Sequence, residues 1–204
     1  SFRRKNWDLN KTLRRGGDGF VNSALEEVKR KMEKSLKNFK EELSHIRTGR
    51  ASVALLETIK VDCYGTKMPI PQIATVNVVE GKMLVIQPWD INLVKEIEKA
   101  IQKSDLGINP TSDGKTIKLV MPPLTEERRR ELMKVANKLA EEARIAIRNI
   151  RRDILEKFKT AKKKGEISED DYLQLEKKVQ KLTDEYIEKI NVALKEKESE
   201  ILTP

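Results

Sequence analysis

From Thr125 to Gly165 the chain runs 41 residues with nothing to break a helix before the closing glycine. Thr125 follows Pro122-Pro123-Leu124 and suits an N-cap. Glu126 and Glu127 sit where the positive end of the helix dipole favours acids. Lys162, Lys163 and Lys164 close the other end, and Gly165 can take the left-handed conformation that terminates a helix. At 1.5 Å per residue such a rod is roughly 60 Å long. A rod of that length needs neighbours along its whole apolar side, so the chain is expected to build a bundle or coiled coil around it.

Two stripes run along the rod. Leu132, Val135, Leu139, Ala143, Ala146, Ile150, Ile154 and Phe158 recur at spacings of three and four and form the expected core face. Arg144, Arg148, Arg151 and Arg152 share a second face, with Asp153 directly after them. A solvated face usually mixes signs, and this one does not. The alternatives are a solvated arginine face and a site for phosphates. The phosphate reading is preferred because guanidinium offers phosphate a planar fork.

Two further helices are expected. Over 21–48 the seam Leu25, Val28, Met32, Leu36, Phe39, Leu43 and Ile46 is heptad-like, with Ser23 and Glu26 as a capping box. Over 168–201 an acid-rich start at Ser168, Glu169, Asp170 and Asp171 leads into Tyr172, Leu175, Val179, Leu182, Tyr186, Ile190 and Ala193. The short turn at Gly165 makes the second and third helices antiparallel neighbours. The single His45 lies off the first seam and is read as solvated.

Between Gly49 and Leu124 the pattern changes. Strands are expected at Ile59–Tyr64, Thr75–Val79, Met83–Gln87 and Thr116–Val120, a hairpin turn at Glu80-Gly81-Lys82, and a helix at Asp90–Ser104. Cys63 falls on the apolar side of its strand and is read as core. The expected fold is α+β: an elongated three-helix bundle from 21–48 and 125–204, with a small β/α/β domain inserted at 49–124. The two crossings, Arg47-Thr48-Gly49-Arg50 and Pro122-Pro123-Leu124, form an expected hinge. Residues 1–20 carry six basic and two acidic residues and no apolar h-region. They are expected to be disordered or an artefact, outside the fold; a transit peptide or basic tail is the alternative.

Charge and absences narrow the function. The net charge is +9, which points to a nucleic-acid or acidic partner. Residues 125–164 carry 14 basic and 7 acidic side chains, residues 166–204 carry 6 and 11, and the insert carries 9 and 8. The positive charge is thus concentrated on the long second helix. One cysteine excludes an internal disulfide and suits a reducing cytosol. No apolar run approaches a membrane span. There is no GxxxxGK[ST], GxGxxG, CxxC or HExxH, and one histidine argues against a triad. No catalytic or metal-ligating constellation is expected, and no cofactor.

The segments HIRTGRAS (45–52), KVDCYG (60–65), SDLGINP (104–110), PPLTEERR (122–129), RIAIRNIRRD (144–153), ISEDD (167–171) and QKLTDEYI (180–187) occur in one order over Val21 to about Leu202. Together they resemble the ribosome recycling factor family. The resemblance implies an L-shaped cytoplasmic monomer with a flexible junction. It implies a factor that binds the post-termination ribosome on its large subunit. With elongation factor G, which hydrolyses GTP, such a factor splits the ribosome into subunits and frees mRNA and tRNA. The family's important arginines on this helix fall on Arg148 and Arg151, within the stripe that also holds Arg144 and Arg152; with Arg129, in the PPLTEERR match, these five are the expected ribosomal RNA-binding residues. Arg47 and Arg50 fall on its hinge motif. The alternative classes are a coiled-coil or nucleic-acid-binding module with no ribosomal cycle, which would not need a folded insert, and an α+β enzyme, for which catalytic residues are lacking.

Overall fold

A computed structural model of the chain describes residues 18–203. In chain order the elements are α1 (Asp18–Ser44), a one-turn α2 (Ala54–Glu57), β1 (Lys60–Cys63), β2 (Thr66–Pro69), β3 (Ala74–Val79), β4 (Met83–Pro88), α3 (Val94–Lys103), β5 (Thr111–Ser112), β6 (Ile117–Val120), α4 (Glu126–Lys163) and α5 (Glu169–Leu202). They fall into two compact units. Among the described residues, one holds 18–46 together with Arg130–Ser199; the other holds Arg47–Arg129 and 200–203.

The first unit is built from α1, α4 and α5. Helix α4 starts where Thr125 Oγ1 accepts the Arg128 N–H at 3.1 Å. It ends in a Schellman turn: the Glu166 and Gly165 amides bond back to Ala161 and Lys162 at 3.0 Å each, with Gly165 at φ +72°. Ser168 caps α5 by accepting the Asp171 N–H at 3.0 Å. Cross-links fix the directions. Arg144 bonds Asn191 and Arg151 bonds Gln180, so α4 and α5 run antiparallel. Phe20 at the start of α1 packs edge-on against Phe158 near the end of α4, ring centres 4.9 Å apart, which sets α1 and α4 antiparallel too.

The core departs from the sequence expectation in three places. Phe20, assigned to the excluded stretch 1–20, is buried, and α1 begins at Asp18 rather than 21; the remainder of that stretch, 1–17, lies outside the described residues. Burial of the Phe20 ring against Phe158 extends the helix upstream, so Ser23 lies inside α1 and does not start it. The same helix stops at Ser44, short of 48. On α4 the buried stripe is Leu132, Ala136, Ala140, Ala143, Ile147, Ile154, Phe158 and Ala161. Val135 is exposed. Four of these eight are alanines, small side chains that a count of bulky apolar residues overlooks. On α5 Thr183 is fully buried, its Oγ1 donating to the Val179 carbonyl at 2.8 Å.

The second unit packs α3 against antiparallel sheets. One sheet has the order β3-β4-β6-β5, and β1-β2 is a separate hairpin. The alternation expected around Val61 holds: Ile59 and Val61 are buried, while Lys60 and Asp62 are exposed. Leu84 and Ile86 of β4, Ile117 and Leu119 of β6, and Ile97 and Ile101 of α3 form the core with Leu56, Val61 and Ile70. Cys63 is half-buried at its edge. Asp90 begins the helical segment by accepting the Asn92 N–H at 3.0 Å. Strands β2 and β5 were not expected; the former ends on Pro69 and the latter has only two residues.

Two predictions follow from this packing. Phe20→Ala should cost the bundle about 3 kcal/mol, the usual loss for a buried phenylalanine; urea unfolding followed by far-ultraviolet dichroism measures it. The second concerns Tyr186, buried on α5 and donating to Glu33 Oε2 of α1 at 2.6 Å. Burial first, then the Glu33 contact, pushes its phenol up to about 12. An unfolded tyrosine ionises near pH 10. The stabilisation is therefore complete below pH 10 and lost as pH rises towards 12. Tyr186→Phe should lower the melting temperature at pH 8, yet lose less than the parent between pH 8 and 11.5.

Candidate nucleic-acid interface

The arginine face lies on the middle and later turns of α4. Arg148, Arg151 and Arg152 line one open groove of about 460 Å³ with Leu155, Glu156, Lys159 and Tyr172. Lys159 was not singled out from sequence, and Tyr172, expected on the apolar row of α5, instead borders the groove. Lys159 follows Arg148 and Arg152 at helical spacing. Tyr172 comes from α5, and only the antiparallel packing of the two helices brings it there. Its ring carries the Lys162 ammonium at 4.7 Å from the centroid, and burial raises its phenol.

The arginines are held in unequal ways. Arg151 is half-buried and donates to Gln180 Oε1 at 3.0 Å, which fixes the guanidinium beside α5. Arg152 is exposed and donates to Asn149 Oδ1. Among the described residues Arg148 reaches only Glu141, at 3.4 Å, and its side chain is 45% exposed. Arg144 is largely committed: it bonds Asn191 at 2.9 Å and Glu141 at 3.0 Å, and its side chain is 21% exposed. Arg144 does not line the groove. Glu141 therefore offsets two of the four cations, a neutralisation that a one-face count of arginines leaves out.

Arg129 is not brought to this groove. It stands about five turns before Arg148 on α4 and belongs to the second unit. There it borders a pocket of about 230 Å³ with Thr48, Gly49, Arg50, Pro123 and Leu124, and its Nε is buried without a hydrogen-bond partner. Pro122 is exposed on the same segment, and Arg47 is exposed at the start of the unit. The two chain crossings lie side by side. A Cβ on Gly49, which sits at φ +76°, would come within 3.2 Å of Leu124 Cγ. The β3–β4 turn ties both: Gly81 O accepts from Ala51 N at 2.9 Å, and Lys82 O accepts from Met121 N at 2.8 Å.

Chemically, the groove offers three guanidiniums and an ammonium beside an aromatic ring, a set suited to phosphates of a polynucleotide. Among the described residues no cluster of His, Cys, Asp and Glu could hold a metal ion. No helix among them is long and apolar enough to cross a membrane.

Comparison with known proteins gives a consistent result. The sequence profile described as "Ribosome recycling factor" matches residues 39–202. The ribosome-recycling factor of Caldicellulosiruptor bescii is 53% identical over 178 residues, covering 87% of this chain and 97% of that protein. The factor of Acetivibrio thermocellus is 55% identical over 175 residues, covering 86% and 96%. A solution structure of a ribosome recycling factor superposes with a TM-score of 0.68 at 44% identity, covering 90% of this chain and 98% of that one. A second match is to models of the T. thermophilus ribosome recycling factor and E. coli elongation factor G bound to the E. coli post-termination complex. Its TM-score is 0.58 at 46% identity, and it covers 89% of this chain and 98% of the other. With the profile spanning most of its length and relatives above half identity, the chain belongs to the ribosome recycling factor family.

Proposed function

We infer that this protein binds the post-termination ribosome and, with elongation factor G and GTP, splits it into subunits, releasing mRNA and tRNA for another round of translation. The observation that carries the reading is the groove of Arg148, Arg151, Arg152 and Lys159 on α4, in a chain of this family. Phosphate contacts supply sequence-independent affinity and fix orientation, which suits a rigid helix laid against ribosomal RNA of the large subunit. Arg144 supports the groove from the side by holding α4 to α5 through Asn191. Arg129 contributes at the other end of the helix. The protein works in the cytoplasm as a monomer and performs no catalysis of its own; the partner's nucleotide supplies the energy.

The crossings Arg47-Thr48-Gly49-Arg50 and Pro122-Pro123-Leu124 act as the hinge. Two adjacent strands with a left-handed glycine on one and prolines on the other restrict where bending occurs. The nearly neutral insert takes the push of the elongation factor, while the basic bundle keeps its hold on RNA.

A salt titration of co-sedimentation with large subunits tests the RNA face. Arg148→Ala and Arg151→Ala should each weaken binding and lower the slope of log affinity against log salt by about 0.9, with little change in melting temperature. Glu141→Gln should act the opposite way, tightening binding at low salt by freeing Arg148. Parental behaviour in all three variants would leave the groove a solvated face.

A further inference from the structure

The second unit carries a cluster of exposed side chains that the RNA-binding reading does not use. Tyr64 is 76% exposed, Trp89 69% and Ile91 58%, although together they amount to a large apolar area on a small domain. They are adjacent in space because the Tyr64 hydroxyl donates to Asp90 Oδ2, and Asp90 lies between Trp89 and Ile91 in the chain.

The cluster is held in place at some conformational cost. Cys63 pairs with Thr66, so Tyr64 and Gly65 form a two-residue hairpin turn. Tyr64 takes φ +50° there, at a position where such turns favour Asn, Asp or Gly. A bulky aromatic in the left-handed region is rare, and here it carries the ring out to solvent and over to Asp90. The Trp89 ring is anchored separately: its Nε1–H donates to Thr75 Oγ1 of β3 at 2.9 Å. Asp90 is fixed at both oxygens, by the Tyr64 hydroxyl and by the Asn92 amide. Exposed aromatics whose rotamers are already locked lose little entropy on binding, the property of interface hot spots.

Charge selects the kind of partner. Asp90 forms no ion pair with any lysine or arginine among the described residues; its partners are an uncharged hydroxyl and an amide. A fixed carboxylate beside two exposed π-faces complements a cationic side chain, which can pair with the carboxylate and lie over a ring. The same carboxylate repels phosphate, so an RNA strand is a poor occupant despite the aromatics. We propose that Tyr64, Trp89, Asp90 and Ile91 form a docking surface for an arginine- or lysine-bearing patch of the elongation factor. This rests on the proposed function, in which that factor acts on the insert.

The test uses the full chain, purified ribosomes and purified elongation factor G with GTP. Splitting rates are measured against elongation factor concentration for the parent, Trp89→Ala and Asp90→Asn. Asparagine can keep the helix cap through Oδ1 and the tyrosine contact with its direction reversed, Nδ2 donating to the Tyr64 oxygen, so Asp90→Asn removes the charge while keeping both contacts. Both variants should raise the half-saturating concentration of elongation factor roughly tenfold. Their co-sedimentation with large subunits in the absence of the factor should match the parent. A parent that shows factor-dependent splitting, with variants that saturate as it does, overturns the docking surface and leaves the proposed function intact. Weaker co-sedimentation of Trp89→Ala with stronger co-sedimentation of Asp90→Asn, without the factor, would show that the surface meets RNA, and overturns it too. A parent without factor-dependent splitting overturns both readings.

Discussion

The close-packed seam of α4 is the constraint on which the first unit depends. A helix of 38 residues has no stability of its own in proportion to its length; it persists because Leu132, Ala136, Ala140, Ala143, Ile147, Ile154, Phe158 and Ala161 are all covered. Because that seam is buried continuously, the remaining faces are fixed in rotation. Arg148, Arg151 and Arg152 are thereby committed to one side without any device dedicated to them. Cross-helix bonds such as Arg151–Gln180 and Tyr186–Glu33 then fix how the neighbours lie along it. A rigid row of cations costs little further ordering when it meets a phosphate lattice, whereas the same residues on a loop would have to be ordered at that moment.

Much of this was legible in the sequence, and the reasons are physical. The capping Thr125 and Ser168, the left-handed Gly165 and the arginine spacing are local signals, and local signals survive translation into structure. The hairpin at Glu80-Gly81-Lys82 and the helix opened by Asp90 belong to the same class. The misreadings concern quantities that only packing decides. Val135 is more hydrophobic than Ala136, yet the face that buries Leu132, Ala136 and Ala140 together turns Val135 outward. Phe20 follows a glycine-rich, basic stretch and was assigned away from the fold, but Phe158 supplies it with a buried site. Ser23 and Glu26 match a capping pattern that the upstream extension of α1 leaves unused as a helix start.

At the candidate interface the same division holds. The arginine stripe is a property of one helix and could be read from spacing. The contribution of Tyr172 depends on a second helix, and the damping of Arg144 and Arg148 by Glu141 depends on rotamers. Arg129 shares a helix with the stripe but lies with Gly49, Arg50 and Leu124 in the second unit, so chain proximity to a motif did not predict its surroundings. The contrast between a basic helix and a nearly neutral insert supports a division of labour between holding RNA and receiving a partner.

The most direct measurement of that division is the splitting of post-termination ribosomes followed by light scattering. Scattering should fall when this protein, elongation factor G and GTP are all present, and should stay constant when either protein or the nucleotide is omitted. No loss of scattering with all three present, or an equal loss without the elongation factor, would contradict the account.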